Sequence, residues 1–380
     1  MAKFEIKDGV AIIPEGTTKI GSYAFAGCTL LKSVTIPESV EVIGWHAFGG
    51  CISLKSITIP ESVKEIGEGA FCACSSLESI EMPTNVWAIR RGAFLECTSL
   101  KSIIIPESVR EIGDDAFYKC ASLKSIIVPE SVNEIGKGAF CDCSSLKSII
   151  VPESVREIGD EAFYGCSSLK SIIIPEFVRE IRDAAFYDCS SLESITISES
   201  VTSIGDSAFI GCTSLKSVTI PESVTSIGDS AFIGCTSLKS FVVAEGNPVY
   251  DSRECCNAII ETKTNTLICG CKSTIIPESV TVIGDNAFGV CCNSLVSIVI
   301  PESVTEIGEC AFYSCSLESI TFLGSVTKID KCAFDDCTAL TAIYVPAKKA
   351  DYYKERLPEE LHDKIVELAP EKKTKTEKEC

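Results

Sequence analysis

A 23-residue motif recurs thirteen times along this chain of 380 residues. The copy at Ile220-Pro221-Glu222-Ser223-Val224-Thr225-Ser226-Ile227-Gly228-Asp229-Ser230-Ala231-Phe232-Ile233-Gly234-Cys235 shows it clearly. Its Ala-Phe pair places phenylalanine at 25, 48, 71, 94, 117, 140, 163, 186, 209 and 232, each 23 residues apart, and then at 288, 312 and 334. A fixed period of this length means a solenoid, in which each repeat supplies one coil that cannot bury its apolar face alone. Such a chain grows along one axis and escapes the usual division of a long globular chain into domains.

The apolar positions predict the coil. In Leu169-x-x-Ile172-x-Ile174 the final apolar residues alternate, as in a strand with one buried face. Pro175 follows and ends ladder bonding on that side. A second apolar pair, Val224-x-x-Ile227, leads to Gly228, expected to supply a sharp turn. Asp229 is then placed to cap a single helical turn carrying Ala231, Phe232 and Cys235. The expected fold is a β-rich solenoid of about 13 coils with short helical turns.

Thirteen of the 23 cysteines stand three residues after the repeat phenylalanine, from Cys28 to Cys337. Rungs of a parallel ladder lie ~4.8 Å apart with parallel side chains, whereas a disulfide needs convergent Cβ atoms at ~3.8 Å. The spacing predicts buried free thiols acting as small hydrophobes. The start, Met1-Ala2-Lys3-Phe4-Glu5-Ile6-Lys7-Asp8, lacks the apolar core of a secretory signal. Reduced thiols then suggest a cytoplasmic location, with the cell surface, reached by another export route, as the alternative. The net charge of −19 argues against nucleic acid and anionic lipid as partners. No apolar run is long enough to insert into a membrane.

The pattern Leu-x-x-Ile-x-Ile-Pro-x-Ser-Val-x-x-Ile-Gly-x-x-Ala-Phe-x-x-Cys-x-Ser resembles the BspA-like class of leucine-rich repeats, from about residue 13 to 346. The segment Glu245-Gly246-Asn247-Pro248-Val249-Tyr250-Asp251-Ser252-Arg253, continued by Asn257-Ala258-Ile259-Ile260-Glu261-Thr262, also resembles a module of that family. The resemblance implies a right-handed leucine-rich solenoid and a binding role, for several members as bacterial surface adhesins. The chain departs from those surface members in its N-terminus. It also keeps just Leu357-Pro358 of a cell-wall sorting motif.

Irregularities divide the chain further. Phe4, Ile6, Val10 and Ile12 alternate, as in a capping hairpin over residues 1–12. The solenoid is expected over 13–346. Between Phe232 and Phe288 the interval is 56, and the excess maps to an insertion at about 244–273. There Ile259-Ile260 and Leu267-Ile268 flank Lys263-Thr264-Asn265 as a hairpin. Cys255, Cys256, Cys269 and Cys271 bracket it, but adjacent Cys and C-x-C pairs do not match the usual zinc spacing. No metal site or cofactor is expected. Residues 347–369 read as a C-terminal cap helix, and 370–380, all charge, Thr and Pro with a final Cys, as disordered.

Catalytic constellations are absent from the pattern. The two histidines, His46 and His362, are over 300 residues apart, and no phosphate loop or nucleophile set assembles around either. The Glu column at 38, 61, 107, 130, 153, 176, 199 and 222 reads as a solvated turn position. The informative column is the outward residue of Leu-Lys-Ser-Ile-x-Ile. It is Thr35, Thr58 and Glu81, then Ile104, Ile127, Ile150 and Ile173, then Thr196 and Thr219. Four isoleucines in register predict an exposed apolar stripe, flanked by Lys101, Lys124, Lys147 and Lys170. Isoleucine also simply suits strands. Tyr118, Tyr164 and Tyr187, with Arg110, Arg156 and Arg179, fall in the same coils. Tyr and Arg are favoured in binding hot spots, though each Arg has a Glu beside it, as on a solvated charged face. These residues point to a non-enzymatic scaffold that binds proteins through its central coils. The alternatives are a bacterial surface adhesin for host or matrix proteins and a self-associating structural protein.

Overall fold

The computed structural model describes residues 4–289 and 295–369. Cys291, Cys292 and the tail at 370–380, for which sequence made specific expectations, lie outside the described residues. The fold is a β-solenoid with few helices, of about 15 turns rather than the expected 13 or so. It forms two compact units, residues 1–237 and 238–380.

In the first unit most coils contribute to three ladders. A three-residue strand such as Ser56–Thr58 or Ser79–Glu81 carries the outward column, and these two pair in parallel with Ile57 opposite Ile80. Two-residue strands such as Val42–Ile43 and Glu65–Ile66 form a second parallel ladder. The third ladder occupies the segment where a helical turn is expected, and it corrects that expectation. No helix forms there. Instead Tyr23, Phe25 and Gly27 donate their N–H groups to the Trp45, Ala47 and Gly49 carbonyls of the next coil, at 2.7–2.8 Å. Intervening N–H groups close four-residue turns, as from Cys28 to the Phe25 carbonyl at 3.0 Å. Alternating partners require left-handed backbone two residues before and two after each Phe. His46 at φ 47° and Gly50 at φ 72° are one such pair. The non-glycine members are strained relative to ordinary backbone, and the ladder bonds hold them there.

The glycine four residues before Phe has a different task from the expected turn. Gly44, Gly67, Gly113, Gly136, Gly159, Gly205 and Gly228 do not have positive φ. A Cβ on Gly159 would lie 2.5 Å from the Lys137 nitrogen and 2.7 Å from the Gly136 carbonyl carbon of the preceding coil. Glycine is there because two backbones touch. Gly21 holds the same position in the first coil, and a Cβ there would meet nothing within 4 Å. Arg90 and Arg182 replace this glycine in two coils. The short-strand ladder breaks at those two places, before Ala88–Ile89 and before Glu180–Ile181. In the second unit Asp330 occupies this column and keeps its N–H bond to the Ile307 carbonyl at 2.9 Å; the interval to its Phe is 22 rather than 23.

Aspartate in the next position does not cap a helix either. Asp183 and Asp206 each accept an N–H from the following coil, Asp206 N at 2.9 Å and Asp229 N at 2.8 Å. The core is a pile of identical columns. Phe25 to Phe232 stack with centroids 5.1–5.7 Å apart and planes within 11°. Phe4 stacks on Phe25 at 5.2 Å. Strand Ile6–Lys7 pairs antiparallel with Val10–Ile12, which lies parallel to Ser33–Thr35.

In the second unit the inserted segment folds as strands Tyr250–Asp251, Ile259–Glu261 and Thr266–Cys269, paired antiparallel in turn. Thr266–Cys269 then lies parallel to Val282–Ile283, so the hairpin takes up one rung of the short ladder. Arg253 grips Asp251, with Nε 2.7 Å from Oδ1, and reaches the Asn265 side chain at 3.0 Å. The end of the repeat is covered by helix Ala350–Lys354, a 3₁₀ segment Glu359–Lys364 and strand Ile365–Glu367. The helix is shorter than expected because the strand pairs with Ala342–Val345. Tyr353 is fully buried and donates its hydroxyl to the Gly324 carbonyl at 2.9 Å.

Candidate binding face

The outward column of the first unit is where the coils differ. Serine and the column residue point away from the core on either side of a buried isoleucine, the alternation of a strand with one solvated face. Ile104, Ile127, Ile150 and Ile173 are 85%, 74%, 70% and 64% exposed. Ile127 is directly opposite Ile150, and Ile173 opposite Thr196. Residues 102–104 belong to no strand, so Ile104 starts the stripe from a looser coil.

The lysines flank it in register. Lys124, Lys147 and Lys170 donate backbone N–H groups to the Lys101, Lys124 and Lys147 carbonyls at 3.0–3.4 Å, and Glu193 continues the row to Lys170 at 2.8 Å. All four side chains are exposed. Lys101 pairs with Glu78 and Lys216 with Glu193, so carboxylates bound the row at both ends. Lys124, Lys147 and Lys170 have no ion pair among the described residues. On the other edge of the strand, three residues beyond each isoleucine, Glu107, Glu130, Glu153 and Glu176 are exposed on the turn after Pro106, Pro129, Pro152 and Pro175. Stacked like charges repel at this spacing. Glu153 relieves part of that by accepting the Glu176 N–H at 2.9 Å.

Other expected residues fall elsewhere in the coil. Tyr164 and Tyr187 stack at 4.7 Å, and the Lys119 ammonium sits 5.0 Å over Tyr118. Arg156 lies 5.6 Å over the ring of Phe177, an exposed aromatic that sequence reasoning passed over. Its signal was present: Phe177 replaces the serine of Pro-Glu-Ser. Sequence also missed a thiol–imidazole contact, His46 Nδ1 to Cys72 Sγ at 3.0 Å. His46 stacks on Tyr23 at 5.3 Å, and Gly69 leaves room for its ring. Burial and the nearby Glu96 carboxylate push the Cys72 thiol up.

The cysteine column is more than small apolar filler. Cys51, Cys97, Cys143 and Cys189 each donate S–H to the phenylalanine carbonyl of the preceding coil at 3.1–3.2 Å. That carbonyl also accepts the N–H of its own coil's cysteine, so both its lone pairs are used. Among the described residues the cysteines are free thiols, and Cys255 is the exposed one. Burial pushes Cys97 up to about 12, and moves Cys120, Cys143 and Cys166 upward too. Among the described residues no three His, Cys, Asp or Glu side chains converge on a point that would hold a metal ion. Cys256, Cys269 and Cys271 turn instead to separate carbonyls, of Ala258, Gly270 and Asn257.

Known proteins share this architecture. The family model for the BspA type leucine rich repeat region matches six copies, over residues 11–122, 133–251 and 260–357. A leucine-rich repeat protein from Bacteroides ovatus is 33% identical, with 95% of this chain and 94% of that one covered at a TM-score of 0.68. A leucine rich cell surface protein from Faecalibacterium prausnitzii is 28% identical over 90% of this chain and 86% of that one, at 0.52. No curated protein matches. Repeat proteins of this kind are generally protein-binding scaffolds without catalytic function. The 23-residue period, the Phe and Cys columns and the family match over most of the length together place this chain in the BspA-type leucine-rich repeat family.

Proposed function

We propose that the chain is a non-enzymatic scaffold that binds a protein through the face bearing Ile104, Ile127, Ile150 and Ile173, with Lys101, Lys124, Lys147 and Lys170 along its edge. One observation carries this reading. Four large apolar side chains stand mostly in solvent in consecutive coils, in a column where the coils on either side, at Thr35, Thr58, Glu81, Thr196 and Thr219, use Thr or Glu. Exposed contiguous apolar surface of this kind marks interaction sites. The fourfold Ile→Thr variant tests it, with the wild type in parallel on the same partners. Stability should hold, because each change is a surface substitution worth about ±0.5 kcal/mol. Binding should be lost. A variant that melts far below the wild type would make the stripe core, and one that keeps every interaction would reduce it to good strand formers.

A second reading places the scaffold on a cell surface as an adhesin. It is favoured by the likeness to the Faecalibacterium prausnitzii protein, whose description is a cell surface protein. Among the described residues no helix is long and apolar enough to cross a membrane. Protease shaving of intact source cells, followed by detection of the chain, tests this reading: resistance equal to that of an internal marker would exclude it.

A further inference from the structure

We infer that the partner of the isoleucine face is a second copy of this chain, docked face to face about a twofold axis that runs along the stripe. The inference rests on the binding reading above and names its occupant. The face is an apolar stripe between a cationic row, Lys101, Lys124, Lys147 and Lys170, and an anionic row, Glu107, Glu130, Glu153 and Glu176. A twofold axis parallel to the stripe exchanges left for right. It lays isoleucine on isoleucine and each lysine row over the glutamate row of the other copy. An axis across the stripe would set lysine on lysine, so the charge pattern selects one orientation. Contacts of this kind are isologous, the commonest way two identical chains close.

The isoleucines set the extent of the apolar contact, and interruptions of the charged rows flank it. One coil before Lys101 the sign reverses at Glu78, and the residue that would oppose it is Thr84, in the column of the glutamates. One coil after Lys170 stands Glu193, and it would oppose Glu199. The complementary run over the four coils that carry isoleucine is interrupted at both ends, at Glu78 facing Thr84 and at Glu193 facing Glu199, and resumes beyond them where Lys55 faces Glu61 and Lys216 faces Glu222. The lysines of the central rungs have no ion pair of their own, and a facing carboxylate row would supply one.

Charge swapping tests the arrangement in the full chain. One variant changes Lys101, Lys124, Lys147 and Lys170 to Glu; the other changes Glu107, Glu130, Glu153 and Glu176 to Lys. Sedimentation equilibrium should show the wild type as a dimer, and each variant alone weakened by about 100-fold or more, since like rows then face each other. Mixing the two variants should restore association to within about tenfold of the wild type, because a copy with two acidic rows meets one with two basic rows. Circular dichroism of each variant checks that it is folded. A wild type that stays monomeric at high concentration overturns the inference. So does a dimer indifferent to either swap, or a mixture that fails to associate although both variants are folded. If the wild type is monomeric but the Ile→Thr variant loses a different protein partner, the binding face stands and its identification with a second copy falls.

Discussion

Replacing Gly159 by alanine should destabilise the first unit, while the same change at Gly21 should not. Neither glycine has positive φ, so alanine is conformationally allowed at both. Lowered entropy of the unfolded chain alone would make either change stabilising by about 0.4–1 kcal/mol. At Gly159 the new methyl would lie 2.5 Å from backbone that cannot swing aside. The coils must part there. The bond from Gly159 N–H to the Ile135 carbonyl, now 2.8 Å, is worth about 1 kcal/mol. Overpacking against the Lys137 and Gly136 backbone adds roughly 1–3 kcal/mol. The net loss is then about 1–3 kcal/mol, roughly 3–10 °C in melting temperature for a unit of this size. Gly21→Ala should instead melt about 1–3 °C higher, because nothing lies within 4 Å of its Cβ. Calorimetry reads the difference, and amide exchange at Ile158 and Gly159 should show the opening locally. If Gly159→Ala melts no lower than Gly21→Ala, coil contact is not why glycine stands in this column. The accommodation seen at Asp330 would then be the general case.

Three further outcomes follow from the columns. Cys143→Ser should be tolerated better than Cys143→Val, since serine keeps a donor for the Phe117 carbonyl and valine leaves that lone pair unused; a reversed order in urea melts would return the column to apolar filler. Stability should fall in alkali: the unfolded thiols ionise near pH 8.5, whereas Cys97 folded holds its proton to about 12, so its contribution is complete below pH 8.5 and is lost between there and about 12. The slope is up to roughly 1.4 kcal/mol per pH unit for each such thiol, and a flat profile from pH 8 to 11 under reductant would contradict it. Iodoacetamide on the native protein, mapped peptide by peptide, should modify exposed Cys255 well before buried Cys97, Cys120 or Cys143; equal labelling would mean the ladder opens readily.

Much of the fold was legible because it is periodic. The interval of 23 defines the coil, and alternation around Ile126 or Ile172 tells inside from outside. What sequence missed is the meaning of positions whose neighbours are a whole coil away. Gly159 resembles a turn residue when read along the chain, and its constraint is the backbone of Lys137 beneath it. Asp206 resembles an N-cap, and its partner is the Asp229 amide above it. The Ala-Phe segment resembles a helical turn because its local turns are helix-like, but every second N–H leaves the coil. Propensity describes neighbours in sequence, whereas a solenoid spends many of its polar groups on neighbours in the stack.

The same logic separates scaffold from site. A column that is identical in every coil, such as the stacked Phe or the S–H donors, is explained by the stack, because each member satisfies the coil next to it. A column that changes for a few coils and then changes back has no such explanation. At the outward position isoleucine holds the four coils from 104 to 173, which lie between the two glutamates, Glu78 and Glu193, that interrupt the lysine column. Lysine also stands in this column at 32, 55, 216 and 239, so the isoleucine column alone changes identity over these coils, and no contact within the coil accounts for that change. Arg90 and Arg182 show the opposite case. They also interrupt a column, but there the short-strand ladder breaks beneath them, so the cause lies within the stack. The isoleucine and lysine rows leave a solvated face with apolar surface and unpaired like charges, which a facing surface of matching pattern would relieve.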